Sequence, residues 1–131
     1  MANLLVPKKI YIWLAVLWTL TIIVLCLEST ADLPKIKISG FDKVAHAIIH
    51  LVFTFLWFMS FINLKIELKK AALFAFLFSV FFGIMIEVLQ QILTTTRQAD
   101  ILDILANITG AFVAVCLVFY LDIKKILNDY N

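Results

Sequence analysis

Side chains able to do acid–base or ligand chemistry recur along this chain at helical spacing. Asp42, His46, His50 and Thr54 step by four. Ser79, Gly83, Glu87 and Gln91 also step by four, with Gln90 beside them. Asp100, Asp103, Asn107 and Gly110 step by three, four and three. Such spacings line up side chains on one face of a helix. Glu87, Asp103 and His46 are the candidates for proton transfer, which needs groups that can carry and release a proton at a bound ligand. Lys43 and Arg97 offer positive charge suited to phosphate. Asp42, Gln90, Asp100 and Asn107 complete the candidate binding set, with Asn107 orienting the bound group.

Glu87 is the sharpest of these signals. It interrupts an apolar run, and an ionisable side chain inside a membrane span normally faces a partner or a watery cavity. The plainer reading is a satisfied polar core, in which Arg97 or Lys43 pairs with Asp100 or Asp103. The two aspartates also suit the first turn of a helix, where the dipole favours carboxylates. That reading covers the aspartates better than it covers Glu87, because a hydrogen-bonded carboxyl would still be less favourable there than a leucine. His50 taken alone reads as an interfacial filler.

Other chemistries are weaker. His46, His50, Glu87, Asp100 and Asp103 are ligand types for zinc or manganese. No HExxH pattern accompanies them, and the sequence assigns no metal ligand and names no cofactor. Ser29, Ser39 and Ser60 lack a partner arrangement for nucleophilic catalysis. The chain's three glycines form no phosphate loop. Cys26 and Cys116 fall at different depths, so a disulfide is not expected, and both read as buried packing residues.

The elements that position these residues are membrane spans. Of 131 residues, 64% are hydrophobic and 15% charged, against about 45–50% and about 25% in soluble domains. The expected fold is an all-α integral membrane protein, a four-transmembrane-helix antiparallel bundle forming one domain over residues 1–131. The spans are expected at about 10–27, 44–64, 71–93 and 101–121. The first is 18 residues long, longer than the core of a signal peptide, and is read as a retained span. Short loops join the helices, since open sheet cannot span lipid. The net charge of +2 gives no reason to expect nucleic acid.

Basic residues set the expected orientation. Lys8, Lys9, Lys65, Lys69, Lys70, Lys124 and Lys125 fall on one side, and Lys35, Lys37, Lys43 and Arg97 on the other. The richer side is expected to be cytoplasmic, with both termini inside. The second span then begins, the third ends and the fourth begins at the outer face. His50, Glu87 and Asn107 are each six residues from that face, or about 9 Å deep. Ala106, Gly110 and Ala114 make a ridge of small residues that admits a neighbouring helix, and Gly83 is expected to do the same one turn from Glu87.

On these residues the chain resembles the VanZ-like family of small bacterial membrane proteins. The matching pattern comprises Ser29 and Pro34, Asp42 and Lys43 with His46, then Gly83, Glu87 and Gln90, then Arg97, Asp100, Asp103, Asn107 and Gly110, over roughly residues 10 to 121. His50 stands where the family often has an aromatic, and Ala114 where a second glycine is frequent. The family is named for a protein associated with low-level resistance to the glycopeptide teicoplanin. The resemblance implies a cell-envelope role in the cytoplasmic membrane of a bacterium, without supplying a reaction.

The functional expectation is an outward-facing intramembrane polar site that binds or modifies a lipid headgroup or a lipid-linked wall precursor. The expected partner is that lipid. The alternative is a non-enzymatic accessory factor that binds lipid or antibiotic for another envelope enzyme. A transporter fits less well, because the inner halves of the helices are almost wholly Phe, Leu, Val and Ile and offer no polar path.

Overall fold

The computed structural model describes residues 9–27, 40–93 and 99–129, with side chains described as far as residue 122. The expected four-helix bundle is present: α1 (Ile10–Leu27), α2 (Phe41–Asn63), α3 (Leu68–Leu93) and α4 (Ile101–Asp129). All four contain stretches long and apolar enough to cross a membrane. Trp13, Leu17, Phe81, Ile92, Ile101 and Phe112 are largely exposed on the outside of the bundle. Such an apolar envelope suits lipid rather than water. This is a multi-pass membrane protein.

Three helices are longer than their apolar windows. α2 starts at Phe41 rather than near residue 44, behind Gly40 in the left-handed region (φ 83°). Asp42 therefore belongs to the first turn of α2, where its charge complements the helix dipole. α3 starts at Leu68, inside the polar segment expected to be loop, so the connection from α2 shrinks to Leu64–Glu67. That turn is closed by backbone bonds from Lys65 N–H to Ile62 O (2.9 Å) and from Ile66 N–H to Phe61 O (3.1 Å). α4 continues to Asp129, well past the expected end near residue 121. Hydropathy marks where lipid begins and ends, whereas a helix runs until its backbone finds a cap.

Packing is tightest between α2 and α4. A Cβ added at Gly110 would come within 1.9 Å of the Ala47 carbonyl oxygen, so the two backbones meet there with no room for a side chain. Ala111 and Ala114 continue the buried stripe on α4. α1 is tied in by its polar atoms: the Trp18 indole N–H donates to Ile49 O (3.1 Å), and the Trp57 indole N–H to Thr19 Oγ1 (3.2 Å). Below the polar end, Phe53 stacks on Phe82 with centroids 4.8 Å apart, and Phe78 and Trp57 extend this aromatic layer. Ile22, Cys26 and Ile86 fill the space around it.

Candidate functional site

The polar faces of α2, α3 and α4 meet at one end of the bundle. Asp100 makes the first link. Its Oδ1 accepts the Leu102 N–H (2.8 Å) and so caps α4. Its Oδ2 accepts from Lys43 Nζ of α2 at 2.6 Å, and its backbone N–H reaches Glu87 Oε2 of α3 at 3.4 Å. The start of α4 is thereby fastened to both neighbours.

Lys43 is the hub of the outer layer. Its ammonium donates to Asp103 Oδ1 as well as to Asp100, and lies 3.4 Å from Asp42 Oδ2. The layer is partly open: the side chains of Asp42, Asp100 and Lys43 are 68%, 41% and 31% exposed. The hydrogen bond from Lys43 holds the Asp100 carboxyl below its ordinary value of 3.8. The contribution of this pair to stability is therefore present above the ordinary carboxylate range and is lost as pH falls through the lowered value.

A buried layer lies beneath. The His46 ring has its Nδ1 3.1 Å from Asn107 Oδ1 and 3.8 Å from Glu87 Oε1. Its Nε2 is 3.8 Å from both Asp42 Oδ1 and Asp103 Oδ2. Glu87 is 1% exposed, and its Oε1 has no hydrogen-bond partner; the same holds for the Asn107 Nδ2. Buried polar atoms are nearly always satisfied, so these two orphans mark a place that is polar for a reason other than packing. From rim to floor the site thus runs from solvated carboxylates through an imidazole to a fully enclosed carboxyl.

A family model described as VanZ/LLP1 matches residues 2–123. The chain belongs to the VanZ/LLP1 family. No curated protein and no solved structure matches it. In this VanZ/LLP1 protein, Asp42, Lys43, His46, Glu87, Asp100, Asp103 and Asn107 come together as one cluster. Arg97 lies outside the described residues, as do Ser29 and Pro34.

Several positions differ from the sequence expectation. His50 and Asn107 both lie against Gly83, whereas the histidine facing Glu87 is His46. His50 lies one helical turn along α2 from His46. There it is 2% exposed and its Nδ1 is 2.8 Å from the hydroxyl of Ser79, which is wholly buried. The Ser79–His50 pair was not foreseen as a contact. The available signal was that Ser79 shares the four-step face of Glu87, opposite the four-step face of His50. As an enclosed pair between two helices, it links α2 to α3 rather than facing the open rim. Gln90 also reaches α1: its amide donates to Cys26 O at 2.9 Å. Cys116 is exposed on the outside of α4, not buried as expected, whereas Cys26 is buried. Cys116 lies three residues from Val113 and four from Phe112 and Tyr120, all exposed, so it turns outward with them, and burial could not be read from residue type alone.

Electrostatically, the described cluster is acidic. Three aspartates surround a single ammonium. Lys43 is committed to them, so phosphate approaching Lys43 would compete with carboxylates already in place.

Proposed function

We propose that this VanZ/LLP1 protein is an envelope factor whose polar site receives the headgroup of a membrane lipid or lipid-linked wall precursor from the outer leaflet. The reading rests on one observation above all: polar side chains from α2, α3 and α4 converge at one end of an otherwise apolar bundle, graded from an exposed rim to an orphaned buried carboxyl. A headgroup has the same gradient of needs, since it enters from water while its tails stay in lipid. Asp42, Asp100 and Lys43 would meet the headgroup at the rim, with Arg97 as a further phosphate partner. His46, Asp103 and Glu87 would move protons if a bond is made or broken, and Asn107 would hold the imidazole. The family's association with teicoplanin resistance fits a protein that alters or shields an envelope component in the bacterial cytoplasmic membrane.

The test compares lipids and lipid-linked precursors by mass spectrometry in strains with no copy, the natural protein, or the Glu87→Gln and Asp103→Asn variants at matched abundance. A headgroup species that changes in large molar excess over the protein, with the natural chain alone, establishes catalysis and names the substrate. A lipid that co-purifies with the natural chain and is lost from the variants, with no change in bulk composition, establishes a non-enzymatic binder. If neither occurs, the headgroup reading fails.

A further inference from the structure

The division of labour among carboxylate oxygens at the rim points to a second kind of ligand. Lys43 takes Asp103 Oδ1, Asp100 Oδ2 and the Oδ2 side of Asp42. The remaining oxygens of Asp42 and Asp103 both turn to His46 Nε2, at 3.8 Å each. That distance is too long for a hydrogen bond, so among the described residues the three atoms stand at ion-pair range with no hydrogen bond joining them.

The other side of the ring explains what Nε2 offers. Two acceptors face Nδ1, the Asn107 amide oxygen at 3.1 Å and the unpartnered, fully enclosed Glu87 Oε1 at 3.8 Å. They hold the ring so that its Nε2 faces the two carboxylate oxygens. A ring nitrogen and two carboxylate oxygens turned toward one point attract a cation to it. A metal-bound imidazole typically has this arrangement, with its second nitrogen donating to a carboxylate or carbonyl.

We propose that Asp42, His46 and Asp103 bind a divalent transition cation of the zinc or manganese class, with Glu87 and Asn107 orienting the imidazole from behind. One ligand atom from each of the three residues lies within 4.8 Å of the others. A cation among them would be roughly 2.5 Å from each, and metal–ligand distances are about 2.0–2.5 Å, so a small inward movement of side chains completes the set. Two carboxylates and one imidazole suit cations of intermediate hardness. Among the described residues of the rim, Asp42, Asp100 and Asp103 exceed Lys43 by two negative charges, a balance that attracts a divalent ion. Asp42 is 68% exposed, giving the ion a way in. The inference stands apart from the headgroup reading, since it concerns binding to the protein alone.

The test uses the full-length chain without an oligohistidine tag, purified in detergent and stripped with a chelator. Equilibrium dialysis against Zn²⁺ or Mn²⁺, with metal counted by mass spectrometry, is expected to give close to one ion per chain. Co²⁺ is expected to show visible ligand-field bands. His46→Gln and Asp103→Asn should weaken affinity at least tenfold, and Asn107→Ala by about 10–100-fold. Glu67→Gln, at the opposite end of the bundle, should bind as the natural chain does. No uptake above the detergent blank, or uptake that His46→Gln and Asp103→Asn leave unchanged, overturns the site. Should those variants fail to fold, the Co²⁺ spectrum of the natural chain decides: without bands the proposal falls.

Discussion

Lys43 shows how one side chain can hold a polar site together at the end of an apolar bundle. Its ammonium touches three aspartates from two helices. Removing it leaves Asp103, which is largely buried, with His46 as its remaining neighbour of opposite potential charge among the described residues. Lys43→Met is therefore expected to destabilise the protein by about 1–3 kcal/mol, between the values for exposed and buried pairs. Combining it with Asp103→Asn should cost less than the two single changes added together, by about 0.5 kcal/mol or more. Denaturant titration of the four forms in micelles measures this, and strict additivity would show that the pair is not coupled. Glu87 carries no such bond at Oε1. Glu87→Gln is accordingly expected to leave the fold standing while changing what the site does.

At the scale of elements, two glycines set how closely the helices approach. Gly110 faces the Ala47 backbone, which cannot rotate out of the way of a 1.9 Å clash. Gly83 faces the Asn107 and His50 side chains at 3.0 Å, which can yield slightly. Gly110→Ala should thus force α2 and α4 apart and destabilise the bundle by about 1–3 kcal/mol, with Gly83→Ala the milder change. Thermal unfolding in detergent separates them, and equal losses would contradict the backbone contact. Because Ala47 immediately follows His46, and Asn107 is one turn from Gly110, moving these helices apart also pulls the His46–Asn107 contact open. A larger loss of ligand or metal binding than of stability in Gly110→Ala would show that transmission.

For the whole molecule, the asymmetry between ends is the main feature. One end gathers the carboxylates, the lysine and the imidazole; the middle is an aromatic layer around Phe53, Phe78 and Phe82; the far end carries Lys69, Lys70 and Glu67. The distribution of basic residues predicts that the polar site faces outward. In a chain with Cys26→Ser and Cys116→Ser, an impermeant maleimide on intact cells is expected to label Asp42→Cys, and to label Lys65→Cys only after permeabilisation. The reverse pattern would invert the topology and bring the site to the cytoplasmic leaflet.

Much of this was legible in the residues. Long apolar runs with few charges dictate spanning helices, because a backbone in lipid must satisfy its own hydrogen bonds. The three- and four-residue steps fixed which side chains share a face, since helical periodicity is local. They single out Asp42, His46, Glu87, Asp103 and Asn107, and Lys43 follows from its charge beside them. Tertiary structure decided the rest. Where α2 begins depends on Gly40 and the first-turn Asp42 rather than on hydropathy, and the packing of α2 against α3 put His46, not His50, within 3.8 Å of Glu87. The close approach at Gly110 set the rotation of α4 against α2. Only that relative placement determines which oxygens of Asp42 and Asp103 meet Lys43 and which turn to the imidazole. A sequence specifies the face of a helix through its own period, but the depth and rotation at which faces meet come from side-chain packing between helices.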